Sequence, residues 1–84
     1  MRKKIDVLIS DWKKVPMYKD FPYIADIKIP AATEAHFPYV EFEQDEAESG
    51  NYADVCKSHN GGVYIFAKEL PEKNLSVEVS LFRG

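Results

Sequence analysis

The chain has one cysteine, Cys56, in 84 residues, so no intramolecular disulfide braces it and packing alone must hold the fold. Basic residues are in deficit: 11 Lys and Arg against 14 Asp and Glu leave a net charge of −3, the wrong sign for non-specific nucleic-acid binding. The small basic groups Arg2, Lys3, Lys4 and Lys13, Lys14 read as solvated positions. No uncharged run approaches the roughly 20 residues of a transmembrane helix, and no membrane association is expected. The opening Met1-Arg2-Lys3-Lys4 imitates the start of a signal peptide. Its apolar stretch Val7-Leu8-Ile9 is cut short by Asp6, Ser10 and Asp11, so no export signal is expected, and a lone thiol suits a reducing cytoplasm. Repeats, low-complexity stretches and linkers are missing too, which leaves one domain over residues 1–84.

What the chain does have is alternation. Hydrophobic residues make up 45% and aromatics 13%, enough for a core worth a net stability of roughly 4–12 kcal/mol at about 0.05–0.15 kcal/mol per residue. Ile5, Val7 and Ile9 alternate with Lys4, Asp6 and Ser10; Tyr23, Ala25, Ile27 and Ile29 alternate with Asp26 and Lys28. Val40 and Phe42 face inward from a strand opened by Pro38, and Val63, Ile65 and Ala67 alternate with Tyr64, Phe66 and Lys68. The clearest case is Leu75, Val77, Val79 and Leu81 against Ser76, Glu78 and Ser80. This period of two predicts half-buried strands. A short edge strand around Met17 and Tyr18 follows the turn at Pro16, and a further strand runs from Tyr52 to Lys57.

Asp45 to Gly50 reads as one helical turn stopped by glycine, and Ser58-His59-Asn60-Gly61-Gly62 as a hairpin turn. The expected fold is therefore all-β: a small antiparallel β-sandwich, or partly open barrel, of six to seven short strands with one short helical turn. In that register Val40, Phe42, Val63, Ile65, Val77 and Val79 are core and Glu41, Lys68 and Glu78 exposed. A fully buried Phe42 predicts a loss of about 3–5 kcal/mol on truncation to alanine.

No constellation of catalytic residues stands out, and no enzyme activity, cofactor or metal is expected. Glu41, Glu43, Asp45, Glu46 and Glu48 are dense enough to attract a hard cation, but they lack the glycine-bearing loop of an EF-hand. His36, His59 and Cys56 are too few and too scattered for structural zinc. Cys56 and His59 have no helix N-terminus or third group to make a nucleophile. His59-Asn60-Gly61-Gly62 precedes a strand rather than the helix a phosphate loop needs. Two surfaces remain as candidates for binding a protein partner, a second copy or a cell-surface glycan. One is aromatic, with Tyr18, Phe21, Tyr39, Tyr64 and Phe66 chosen from a set that includes the paired runs Phe21-Pro22-Tyr23 and Phe37-Pro38-Tyr39. The other is acidic, formed by Glu43, Asp45, Glu46 and Glu48.

The segment Ser49 to Cys56, followed by Gly61 to Lys68 and Pro71, together with Trp12, Phe21-Pro22-Tyr23-Ile24-Ala25-Asp26 and Phe37-Pro38-Tyr39-Val40, resembles a small domain of phage and prophage tail or receptor-binding proteins of Gram-positive bacteria. The resemblance spans roughly residues 8–82. It implies a non-enzymatic binding or structural module made in a bacterial cytoplasm, an accessory of a tail or baseplate and then virion-associated. The alternative expectation is a small phage-encoded inhibitor of a host defence protein, anti-CRISPR-like, acting through the acidic stretch.

Overall fold

A computed structural model describes residues 2–15 and 17–83. Among these residues seven strands form two antiparallel sheets. The three-stranded sheet has the order β1 (Arg2–Val7), β7 (Leu75–Arg83), β4 (His36–Phe42). The four-stranded sheet has the order β2 (Trp12–Lys14), β3 (Tyr23–Lys28), β6 (Gly62–Ala67), β5 (Lys57–His59). One short helix, α1 (Gln44–Glu48), follows β4 and ends at Gly50 with φ +75°. The all-β sandwich read from the alternation is the observed fold.

The core lies between the sheets and is built from the inward phase of each strand. Leu75, Val77, Val79 and Leu81 on β7 are buried against Ala25 and Ile27 of β3 and Val63, Ile65 and Ala67 of β6, with Trp12 and Val7 closing one side. On β7, Val79 stands opposite Val40 and Lys3, and Val77 opposite Phe42 and Ile5, so one valine pair organises both flanking strands. Glu41 and Lys68 are exposed as the register requires, whereas Glu78, expected to be exposed, is half-buried on the outward face, where Arg2 pairs with it. Val40 and Phe42 are only half-buried at the rim, where the Phe42 ring stacks on Tyr52 with centroids 4.6 Å apart. The expectation that Val40 and Phe42 lie in the core is corrected accordingly: both pack against it from the rim.

Three further expectations are corrected. Ile9 does not continue β1: residues Ile9–Asp11 form a 3-10 turn and Ile9 is exposed. The Asp11 carboxylate accepts the Leu8 N–H at 2.8 Å and the Asn74 side-chain oxygen accepts the Ile9 N–H at 2.9 Å, so side chains rather than a neighbouring strand satisfy these amides. The edge strand is Trp12–Lys14 instead of the region around Met17 and Tyr18, which turns, and Pro16 lies outside the described residues. No strand runs from Tyr52 to Lys57. Tyr52 makes a single bridge to Ala67, Asn51 brackets Glu69 through both side-chain atoms, and the chain then bends away toward β4 before β5 begins.

Strand edges are protected. The outer edges of β1, β2 and β5 carry Arg2-Lys3-Lys4, Lys13-Lys14 and Lys57, charges that discourage pairing with another strand. On β4 the Cys56 thiol donates to the Pro38 carbonyl at 3.4 Å while the Val40 N–H points to the same sulfur, so one side chain occupies the free edge.

At the β5–β6 hairpin Gly61 takes φ +93°, the left-handed conformation glycine permits without strain. Gly62 serves a different need. It lies under a contact that crosses β6, in which His59 Nε2 meets Asp26 Oδ1 at 2.7 Å, and a Cβ at Gly62 would stand 2.6 Å from Asp26 Oδ1 and 2.7 Å from the Ile27 carbonyl oxygen. Gly62→Ala is therefore expected to cost about 1–3 kcal/mol by urea unfolding. The Asp26→Ala background should not rescue it, because the Ile27 backbone oxygen remains; full rescue would contradict the crossing geometry. Ile65→Ala, at a site 1% exposed, should cost about 2–5 kcal/mol and exceed Phe42→Ala. The reverse order would place Phe42 deeper than the rim.

Candidate functional site

Alternation leaves each sheet with an outward face. On the three-stranded sheet the outward residues form rows across β4, β7 and β1: Phe37 opposite Phe82, then Tyr39, Ser80 and Arg2, then Glu41, Glu78 and Lys4. Phe37, Tyr39 and Phe82 are 64%, 57% and 57% exposed, the three largest exposures among the described large hydrophobic residues. Phe37 and Phe82 are direct cross-strand partners and Tyr39 lies two residues along β4, so the rings share one end of one face. Three rings of about 200 Å² each, each more than half exposed, give a patch on the order of 350 Å².

The neighbouring row is charged. Glu41 and Glu78 stand opposite each other, a like-charge pair that a cation must offset. Arg2 Nη2 lies 2.5 Å from Glu78 and 3.9 Å from Glu41. The hydrogen bond to Glu78 raises the Arg2 pKa above its ordinary value. Past this row a shallow recess is lined by Lys4, Glu41, Phe42, Glu43, Ser76 and Glu78.

The residues singled out in the sequence divide. Tyr39 belongs to this face. Tyr18, Phe21 and Phe66 instead meet on the far side of the other sheet, where Tyr18 stacks on Phe21 at 5.4 Å and tilts against Phe66 at 5.3 Å. Phe66 is buried with Ile24 and Ala53 in a second small cluster, which corrects its place among exposed aromatics: the loops through Phe21 and Ala53 cover its face of β6. Tyr64 is half-buried under the His59 ring, 4.2 Å away. Phe21, Phe66 and Tyr64 pack into or against this second cluster, while Tyr18 stays 36% exposed at its rim. Phe37, which the sequence offered within the run Phe37-Pro38-Tyr39 but not among the chosen binding residues, and Phe82, which it did not offer, join Tyr39 as functional candidates. Phe82 sits in the outward phase of β7 with Ser76, Glu78 and Ser80, a signal that was available.

Of the acidic set, Glu46 pairs with Lys73 at 3.2 Å and Glu48 accepts from Gln44 within α1. Glu43 and Asp45 are exposed, and among the described residues neither has an ion-pair partner. Among the described residues no three His, Cys, Asp or Glu side chains are grouped to hold a metal ion.

Both histidines and the cysteine have structural partners. His36 Nδ1 accepts the Thr33 N–H at 3.0 Å, and Ser58 Oγ donates to the Thr33 carbonyl at 2.6 Å, joining the β3–β4 connection to β5. The His59 ring nitrogens lie 2.7 Å from Asp26 and 3.2 Å from the Asn60 carbonyl oxygen, which leaves neither free to activate Cys56. Burial pushes the Cys56 thiol pKa up, the opposite of what a nucleophile needs.

That shift has a stability consequence. A thiol whose folded pKa is raised contributes stability that is intact below the unfolded value of about 8.5 and is lost as pH rises through the folded value. Burial also raises Tyr52, which acts in the same direction above about pH 10. Unfolding free energy is therefore expected to fall from about pH 8.5 upward, and Cys56→Ala should flatten the first part of that fall. An identical pH profile in the variant would contradict the assignment. Compared with known proteins, the chain matches no family model, no curated protein and no solved structure.

Proposed function

We propose that this chain is a non-catalytic interaction module whose docking surface is the outer face of the three-stranded sheet at Phe37, Tyr39 and Phe82. The carrying observation is the exposure of these three rings on adjacent outward positions of β4 and β7, while the other described large aromatics pack into or against the two clusters, apart from Tyr18, which is 36% exposed and stacks on Phe21. Exposed aromatic clusters of this kind are costly to hold in water and favour association. Protected strand edges support face-to-face over edge-to-edge recognition. The setting that the resemblance implies, an accessory of a phage tail or baseplate, is part of this proposal. A second reading, an inhibitor acting through its acidic stretch, is favoured by the exposed Glu43 and Asp45, which have no ion-pair partner among the described residues.

Photo-crosslinking residues placed singly at positions 37, 82 and 28, in the cells that naturally make the chain, test the docking face. Lys28 lies on the outer face of the other sheet and serves as the control. Discrete adducts are expected from 37 and 82 and not from 28. Equal adducts from all three positions, or none from 37 and 82, would contradict the proposal.

A further inference from the structure

Resting on the reading of this face as a docking surface, we infer that its occupant is a cationic protein segment that lays an arginine side chain over Phe37 and Tyr39 and against Glu41 and Glu78, displacing Arg2. The order of chemistry along β4 and on into the start of α1 carries the inference. Phe37 and Tyr39 come first, Glu41 with its cross-strand partner Glu78 next, and the exposed Glu43 and Asp45 last. A planar guanidinium matches that order, because it stacks on an aromatic face and forks onto carboxylates, whereas a compact, strongly hydrated ammonium meets a carboxylate only as a point charge and has no planar face to stack.

The chain already demonstrates the chemistry on itself. The Arg2 guanidinium occupies the Glu41–Glu78 pair, yet its side chain remains 65% exposed and it comes from the edge strand β1. It is thus an internal competitor, held by its two carboxylate partners on a largely exposed side chain. A partner arginine that also covered the rings would gain apolar contact that Arg2 does not make from its position on β1.

The alternatives fit less well. The aromatic patch, on the order of 350 Å², is less than half of the roughly 800 Å² per partner of a stable protein–protein interface, so the rings alone do not supply a second copy's interface. A second copy meeting this face with the same face would also bring another Glu41–Glu78 row toward the first. A neutral glycan would use the rings but leave the carboxylate pair and the acids beyond it without a counterpart.

The test uses the full, isotope-labelled chain titrated with a blocked hexa-arginine peptide and followed by backbone amide shifts. Perturbations are expected at Phe37, Tyr39, Glu41, Glu78 and Phe82, with hexa-lysine binding about threefold or more weakly. Arg2→Gln should tighten hexa-arginine binding by about threefold, because the competitor is gone. Replacing Phe37, Tyr39 and Phe82 by threonine should weaken it about tenfold, as should the Glu41→Gln, Glu78→Gln pair.

Unchanged or weaker binding in Arg2→Gln would overturn the inference. So would undiminished binding in the threonine variant, which would assign the peptide to the acidic stretch alone. Face perturbation by chitohexaose but not by hexa-arginine, or a dimer in sedimentation equilibrium that buries Phe82, would overturn it in favour of a glycan or a second copy. Crosslinks at 37 and 82 with no hexa-arginine binding would remove the cationic partner while leaving the docking face in place.

Discussion

Strand β7 is the constraint on which the rest depends. It is the one strand of the three-stranded sheet flanked on both sides, and its inward phase of Leu75, Val77, Val79 and Leu81 spans the core. Pairing on one side sets β1 so that Ile5 and Val7 turn inward; pairing on the other sets β4 so that Val40 and Phe42 do. The period of two that buries these residues necessarily turns Ser76, Glu78, Ser80 and Phe82 outward. Stability and the candidate surface are two faces of one strand, and a one-residue slip would exchange them.

The four-stranded sheet answers a different demand. Both faces of β6 are buried at one end, by the central core on one side and by Tyr18, Phe21 and Ala53 on the other. At the opposite end Gly62 removes a side chain so that Asp26 and His59 can meet across the strand. Edges are closed by Lys-bearing strands and by the Cys56 sulfur on β4. The face bearing Phe37, Tyr39 and Phe82 holds the three most exposed large hydrophobic side chains of the described residues, on neighbouring outward positions of two paired strands.

Much of this was legible in the chain and some of it was not, for physical reasons. The β3 and β7 alternations, the hairpin at Asn60-Gly61 and the helical turn before Gly50 follow from local pattern and turn chemistry. Ile9 was illegible because its amide is satisfied by Asn74, a residue 65 positions away. Phe66 misled because alternation reports the phase of a side chain and not whether a distant loop covers that phase. The gathering of Phe37, Tyr39 and Phe82 needed the register of β4 on β7, a non-local pairing, although each residue's outward phase was readable singly. The sealing role of Cys56 has no sequence signature at all.

The central claim is that the three exposed rings serve recognition and contribute little to holding the fold. Its most direct measurement is equilibrium urea unfolding of the chain in which Phe37, Tyr39 and Phe82 are all threonine, a residue that keeps the strand preference while removing the rings. The account predicts an unfolding free energy within about 1 kcal/mol of the parent and an unchanged dependence on denaturant. A loss of about 3 kcal/mol or more, the scale of a truncated core aromatic, would show that the rings belong to the core and would contradict it.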